Sequence, residues 1–275
     1  MTQLLALLSA ALFGVADFAG GLASKRIAAW TVAGWAQLLG IPILILGLLA
    51  VPSPEVTRAD LMWGSLGGVF GLLGVAVLYM ALAAGTMSVI APVIGIGAAI
   101  IPVIWAVFTG ESINTVQWGG IVMAGMAVVL ISAQSGAGRM SSRLAMQAFA
   151  AAMAFAVFFI ALGQTSEAAG LWPLAAARAW TLPLAFVIIL ARRDPIAPPR
   201  SLLPILTLIA VFDMTANAAI ILAVQRGPIG INAVLGSLYP AFTVIAAIIV
   251  LKERPTRRQF SGLVIGLVAV VALAI

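Results

Sequence analysis

The chain has 275 residues, of which 64% are hydrophobic and 8% are charged, and its mean hydropathy is +1.21. A soluble fold cannot hide so much apolar surface from water, so the composition excludes one and predicts a protein of the lipid bilayer. The net charge of +6 comes from basic clusters between apolar stretches, which is typical of membrane topology signals and not of nucleic-acid binding. Because cysteine and histidine are absent, disulfides and His/Cys metal or haem ligation are excluded, and any proton handling falls to carboxylates.

Ten apolar segments of about 20 residues, the length that crosses a bilayer as a helix, follow one another along the chain. They run approximately over residues 3–23, 31–51, 61–84, 87–108, 115–133, 144–164, 172–191, 202–225, 228–251 and 257–274. No basic segment precedes the first, so it is predicted to be a span and not a cleaved signal. Residues 135–139, Ser-Gly-Ala-Gly-Arg, are predicted to form a small, flexible linker between the fifth and sixth spans. We therefore predict an all-α membrane protein with domains 1–135 and 143–275, each of five helices.

The second domain repeats the first at a fixed offset. Aligned without a gap, Glu111 meets Glu253 and Gln117 meets Gln259, each pair 142 positions apart (253 − 111). Because each copy has an odd number of helices, the second must enter the membrane from the opposite side. Such inverted repeats in an apolar bundle are typical of secondary transporters.

The loop charges indicate the same inversion. The loop TGESINT after the fourth span has no basic residue, whereas the matching loop LKERPTRR after the ninth has four. Over the whole chain, eleven basic residues fall in loops on one side, and only Arg58 and Arg226 fall on the other. Since positively charged loops stay in the cytoplasm, both termini are predicted to lie outside it.

Polar residues within the seventh and eighth spans are the first candidates for a site. Asp213 lies near the middle of its span, where a charge is costly, so it should face the bundle interior. It either binds a proton or a substrate, or forms half of a structural ion pair. Asn217 follows one turn later on the same face. Arg178 lies at a similar depth, and its guanidinium either binds an anion or pairs with Asp213.

Acidic residues nearer the ends of spans allow more alternatives. Asp17 lies about two turns before Lys25, where it is solvated, paired with Lys25, or part of a transport pathway. We retain it, with Asp213, as a candidate coupling carboxylate. Glu111 and Glu253 lie at helix ends, which favours capping of the next helix or pairing with a nearby positive charge.

Proline and glycine are predicted to interrupt the fourth and ninth spans at matching places. Freed carbonyls at membrane depth are tolerated only inside protein or beside a watery cavity, so paired breaks in two halves indicate a binding site. Glycine also serves close helix packing, which we favour for Gly64 and Gly68 in the third span. The breaks lie at Pro92, Gly95, Gly97 and Pro102 and at Gly230, Gly236 and Pro240. The predicted substrate-binding residues are Tyr79, Gly95, Gly97, Arg178, Asp213, Asn217, Asn232, Ser237 and Tyr239.

Residues shared by the two halves resemble the EamA domain of the drug/metabolite transporter superfamily. The resemblance implies a ten-helix inner-membrane carrier, typically an exporter of amino acids and other metabolites. It also implies a central cavity lined by helices 3, 4, 8 and 9 and their neighbours. An arginine is often found within the second helix of that family's repeat. The second half has this arginine as Arg178, whereas the first half has Ala36 and Gln37 at the matching place. The pattern comprises Tyr79, Ala81, Leu82, Gly85, Ser88, Pro92, Pro102, Gly110, Glu111, Gln117, Gly120 and Gly125, echoed by Ala223, Gly227, Pro240, Glu253, Gln259, Gly262 and Gly266.

Other classes of membrane protein fit the sequence less well. A retinal protein needs a lysine within a helix, but Lys25 and Lys252 are both in predicted loops. An intramembrane enzyme needs a nucleophile with its base, or paired acids, and Asp213 has no second acid near it in sequence. A channel is the alternative that remains, since an inverted duplication can also build a pore.

We therefore predict no enzyme and no cofactor or metal. The predicted function is secondary transport of a small amphipathic metabolite, such as an amino acid, outward across the inner membrane by alternating access. The predicted partners are that metabolite, protons and the lipid bilayer, without nucleic acid.

Overall fold

Long helices make up nearly all of the chain. The computed structural model describes residues 1–83, 87–132, 142–251 and 257–274, and these ranges contain no strand. Short 3-10 turns at Glu167–Ala169 and Arg200–Leu202 precede the seventh and eighth helices. The helices are α1 (Thr2–Ser24), α2 (Ala29–Ala50), α3 (Arg58–Ala83), α4 (Met87–Phe108), α5 (Thr115–Ser132), α6 (Ser142–Gly163), α7 (Trp172–Ala191), α8 (Leu203–Arg226), α9 (Ile229–Gly236), α10 (Tyr239–Leu251) and α11 (Arg257–Ala274).

Six helices of the described part of the chain are long and apolar enough to cross a membrane. They are α1, α2, α3, α6, α7 and α8. Two shorter apolar stretches, Ala98–Phe108 and Ile229–Thr243, belong to α4 and to α9 with α10. The all-helical prediction is confirmed, while the count of ten spans stays a prediction. The predicted linker at residues 135–139 lies outside the described residues.

The main contacts that a helix makes with the other half recur between the matching pair of helices. With α1 matched to α6, α2 to α7, α3 to α8, and α4 to α9 and α10, the packing of α1 on α8 corresponds to that of α6 on α3. In the same way, α2 packs on α8 as α7 packs on α3, and α1 packs on α9 and α10 as α6 packs on α4. The matched helices α5 and α11 pack directly on each other. The core therefore lies between the halves and belongs to both.

Glycine brings α3 unusually close to α7. A Cβ atom at Gly64 would overlap the backbone of Pro173, and one at Gly68 would overlap Ala177. The predicted packing role of these two glycines is therefore confirmed. This close approach places the next residue of α7, Arg178, at the centre of the bundle.

A second close approach joins α1 to α10. A Cβ atom at Gly14 would lie 2.5 Å from the Cβ of Phe242 and 2.6 Å from the carbonyl oxygen of Tyr239. The hydroxyl of Thr243 donates a hydrogen bond to the Gly14 carbonyl at 3.0 Å. The first turn of α10 is thus fixed beside the part of α1 that carries Asp17.

The two predicted helix breaks have different outcomes. In the second half, Ser237 and Leu238 form a turn between α9 and α10, so the predicted break is confirmed. Pro240 contributes to it, because proline has no N–H to bond the carbonyl of Gly236. The interruption predicted in the first half is wrong, since α4 is continuous through Pro92 and Pro102. A proline removes one helical hydrogen bond, and the bonds on either side of it keep the helix intact.

Candidate functional site

A cavity lies at the centre of the bundle, where helices of both halves meet. Its apolar wall contains four phenylalanines, Phe13 on α1 and Phe155, Phe158 and Phe159 on α6. A mainly apolar cavity with a few convergent polar groups is typical of a small-molecule site. The polar residues that line it are Asp17, Gln37, Tyr79, Arg178, Asp213, Asn217 and Tyr239.

Arg178 and Asp213 form a buried ion pair across the cavity. The Nη2 atom of Arg178 lies 3.3 Å from the Oδ2 atom of Asp213, and the two side chains are 11% and 15% exposed. The sequence allowed either an anion site or a pair with Asp213, and the structure brings the two residues together. The Nε atom of Arg178 is enclosed and has no hydrogen-bond partner among the described residues. Pairing offsets much of the cost of burying either charge alone.

Two amides flank this ion pair. The side-chain nitrogen of Asn217 donates to the backbone carbonyl of Asp213 at 2.8 Å, which holds Asn217 on the face that the sequence predicted. Gln37 accepts a hydrogen bond from the hydroxyl of Thr181, which ties α2 to α7. Gln37 lines the cavity, although the sequence singled it out only as a residue matched to the Arg178 region. An isolated amide in an otherwise apolar helix was the signal that could have identified it.

Asp17 faces the same cavity from α1. Asp17 is 6% exposed, and it forms no ion pair with Lys25 within the described ranges. Of the three alternatives for Asp17, the structure therefore places it in the cavity. The ring of Tyr79 lies over Gly20, where a Cβ atom would be 2.5 Å from the ring's Cε1 atom. Glycine at this position thus allows Tyr79 to reach the cavity beside Asp17.

The break between α9 and α10 places Tyr239 in the cavity. Its hydroxyl is buried and has no hydrogen-bond partner in the described part of the protein. Its ring packs against that of Phe155, with centroids 6.2 Å apart and planes tilted by 58°. Because Tyr239 is the first residue of α10, its position depends directly on the turn before it.

The remaining predicted site residues lie elsewhere. Gly95 and Ser237 line a separate apolar groove beside α5, and the Ser237 hydroxyl donates to the carbonyl of Val234 at 2.8 Å. Asn232 is buried and donates from its amide to the carbonyl of Ala223 at 2.9 Å, which supports the turn from α8 to α9. Gly97 belongs to α4, and the surroundings of this residue lie outside the described part of the structure. The structure thus brings together Tyr79, Arg178, Asp213, Asn217, Tyr239 and Asp17, without Gly95, Asn232 or Ser237.

Glu111 joins the two halves at one end of the bundle. Its Oε2 atom accepts a hydrogen bond from the backbone N–H of Gly230 at 3.3 Å, at the first turn of α9. The predicted capping role is thus correct in kind but wrong in its partner, because α4 packs against α9 and delivers the carboxylate there. Asn114 caps the next helix, α5, by accepting from the N–H of Gln117 at 2.8 Å. Glu253, the matching acid, lies outside the described residues.

The long apolar helices of the two matching halves enclose one charged cavity, which defines a multi-pass membrane protein with an internal cavity. The model of the EamA-like transporter family matches this chain twice, over residues 1–133 and 143–275. The chain therefore belongs to the EamA-like transporter family, within the drug/metabolite transporter superfamily. This is a family of membrane transporters and not of enzymes.

Solved structures support the fold independently. A crystal structure of a protein with 14% sequence identity superposes with a TM-score of 0.79, covering 98% of this chain and 95% of that chain. At such low identity the likeness shows the fold alone. No curated protein matches the chain.

Proposed function

We propose that the protein is a secondary transporter that exports a small amphipathic metabolite, such as an amino acid, across the inner membrane. In this proposal ten helices form two inverted repeats, residues 1–135 and 143–275, and both termini lie outside the cytoplasm. The central cavity holds the metabolite and opens alternately to each side. Asp213 and Asp17 are the candidates for coupling this movement to protons.

The buried charges of the cavity carry the proposal. Arg178 pairs with Asp213 at 3.3 Å, and Asp17 lines the same cavity from the other half. Ionisable residues at membrane depth are costly and are retained chiefly in substrate and ion pathways. The phenylalanines around them supply an apolar surface for the rest of an amphipathic molecule.

Alternating access is supported by the exchangeable helix contacts. The contact of α1 with α9 and α10 corresponds to that of α6 with α4, so each half meets the other through matched surfaces. Rocking of one repeat against the other can then open the cavity to one side of the membrane while it closes the other side. In the described state, Glu111 bridges to Gly230 and joins α4 to α9 at one end.

The function is tested first by comparing metabolites in the medium of cells with and without the protein. Compounds enriched in the medium are then measured for flux in proteoliposomes. We expect saturable flux that Asp213→Asn reduces at least tenfold, while Glu55→Gln, at an exposed loop residue, leaves it unchanged. Flux that does not saturate, together with single-channel currents, would instead identify a channel.

A further inference from the structure

Asp17 differs from Asp213 in having no ion-pair or hydrogen-bond partner among the residues that the structure describes. No hydrogen bond or ion pair of its side chain is found within the described ranges, although the residue is only 6% exposed. It faces the cavity from α1, where the groups that can exchange charge or protons with it are Tyr79 on α3, Arg178 on α7, Asp213 on α8 and Tyr239 on α10. Gln37, the polar residue that α2 brings to the cavity, is neutral. Asp17 is therefore a carboxylate that nothing in its described surroundings neutralises.

The charges of the cavity do not balance. Arg178 is the only cation among the described lining residues, and Asp213 already holds it at 3.3 Å. One guanidinium balances one carboxylate, so an ionised Asp17 leaves the cavity with one excess negative charge. Because an isolated carboxylate is strongly disfavoured in an apolar enclosure, Asp17 must carry a proton or contact a bound cation.

The cavity is poorly equipped for a ligand's carboxylate. The Nε atom of Arg178 is enclosed, so a ligand in the cavity cannot reach it. The guanidinium's Nη2 atom already contacts Asp213. Only the remaining guanidinium nitrogen, Nη1, is left for a ligand carboxylate, which would then share the cavity with two acids. The electrostatics therefore favour a ligand with a net positive charge over a zwitterion or an anion.

Aromatic rings surround the position of Asp17. Phe13 lies one helical turn before it and lines the same cavity, and the ring of Tyr79 packs over Gly20, nearly one turn after it. Tyr239 and Phe155, whose rings are 6.2 Å apart, complete this wall. Ring faces attract cations and also pack on apolar groups, so this wall suits both ends of an apolar amine.

We propose that Asp17 is the cation-binding residue of the cavity and that the transported molecule is an organic amine with an apolar, aromatic-sized body. The ammonium group contacts Asp17, and the body packs among the surrounding rings. This inference rests on the proposed transport function and narrows its substrate from amphipathic metabolites in general to monovalent amines.

Proton exchange follows from the same contact. When the cavity is empty, Asp17 is protonated and neutral. Entry of the ammonium ion displaces this proton to water, so one positive charge enters as one leaves, and Asp17 becomes the ionised partner of the amine. Release of the amine lets a proton return. Arg178 remains beside Asp213 throughout, so this second carboxylate keeps its partner.

Carboxyl labelling of the full-length protein in detergent tests the assignment. Dicyclohexylcarbodiimide modifies protonated carboxyl groups in apolar surroundings, and peptide mass spectrometry locates the adduct. We expect at least tenfold more adduct on Asp17 than on Asp213, which serves as the internal control. Equal modification of the two residues, or no modification of Asp17, would overturn the proposal.

Protection by charge-matched probes tests the substrate class. Phenethylamine, phenylalanine and 3-phenylpropionate share a similar body but carry positive, zwitterionic and negative charge. We expect saturating phenethylamine to slow the labelling of Asp17 at least fivefold, and 3-phenylpropionate to slow it less than twofold. Failure of phenethylamine to protect, or equal protection by 3-phenylpropionate, would overturn the assignment of an amine.

Variants separate binding from folding and from transport. Asp17→Asn should abolish the rise in melting temperature that phenethylamine causes, and Asp17→Glu should retain it. If Asp17→Asn does not fold, labelling of the unaltered protein still decides the question. Protection by phenethylamine without any flux in proteoliposomes would support the cation site and contradict the transport function. Flux without protection would support the transport function and contradict the cation site.

Discussion

The two halves of the molecule match in how their helices pack but differ in the chemistry they bring to the cavity. Phe13 and Phe155 are matching residues, and both line it. The charged residues have uncharged counterparts that also line it. The matched pairs are Asp17 with Phe159, Arg178 with Ala36, and Asp213 with Gly71.

This difference shows how a duplicated fold can hold one site. Two identical halves would surround the cavity with two equivalent sets of charges, and each carboxylate would face a copy of itself. Replacing one member of every charged pair by Phe, Ala or Gly leaves a single set, with a fixed direction across the cavity. Symmetry then governs how the helices pack, while asymmetry governs what they bind.

The most decisive test asks whether the halves are inverted at all. A reporter that is active only in the periplasm, fused after Ile275, should give full activity, because the loop charges predict that both termini lie outside the cytoplasm. The same reporter fused after Gly138, in the predicted linker between the halves, should give background activity. Equal signals from the two fusions would contradict the predicted inversion.

The next largest effect is expected from breaking the ion pair. Arg178→Gln leaves two carboxylates in the cavity without a cation, which we expect to cost about 3–5 kcal/mol of stability. Its measure is the melting temperature in detergent. The double variant Arg178→Gln/Asp213→Asn should recover most of the loss, because no unpaired partner remains. Equal stability of the single and double variants would show that the pair does not act as a unit.

Sequence reasoning found the charged residues of the site and allowed the pairing of Arg178 with Asp213, but it left the place of Asp17 open. Asp213 and Arg178 were identifiable because charge within an apolar helix is costly enough to require a reason. The cavity position of Asp17 was not identifiable, because it depends on how closely α10 approaches α1 at Gly14. For the same reason, Asn232 and Ser237 looked like site residues by their proximity to the break, although their side chains bond to local backbone carbonyls.

A smaller effect should come from the close packing that differs between the halves. Gly68 on α3 touches α7, whereas its match on α8 is Ala210, which carries a methyl group. Gly68→Ala would force α3 from α7, at a cost of about 1–3 kcal/mol. The matched control is Gly119→Ala on α5, where a Cβ atom meets nothing within 4 Å. It should stabilise the helix by about 0.5–1 kcal/mol. A similar melting temperature for the two variants would refute the close contact.

The smallest effect is expected at Glu111, where one half caps a helix of the other. Glu111→Gln keeps a group that can accept from the N–H of Gly230 but removes the charge that favours the first turn of α9. Because acids near helix N-termini contribute about 0.3–1 kcal/mol, the melting temperature should fall by a degree or two at most. Glu55→Gln, in an exposed loop, should leave it unchanged. If α4 must part from α9 during transport, the same variant should speed flux while it lowers stability. Lower stability with unchanged flux would make Glu111 a cap alone, and unchanged stability would remove even that role.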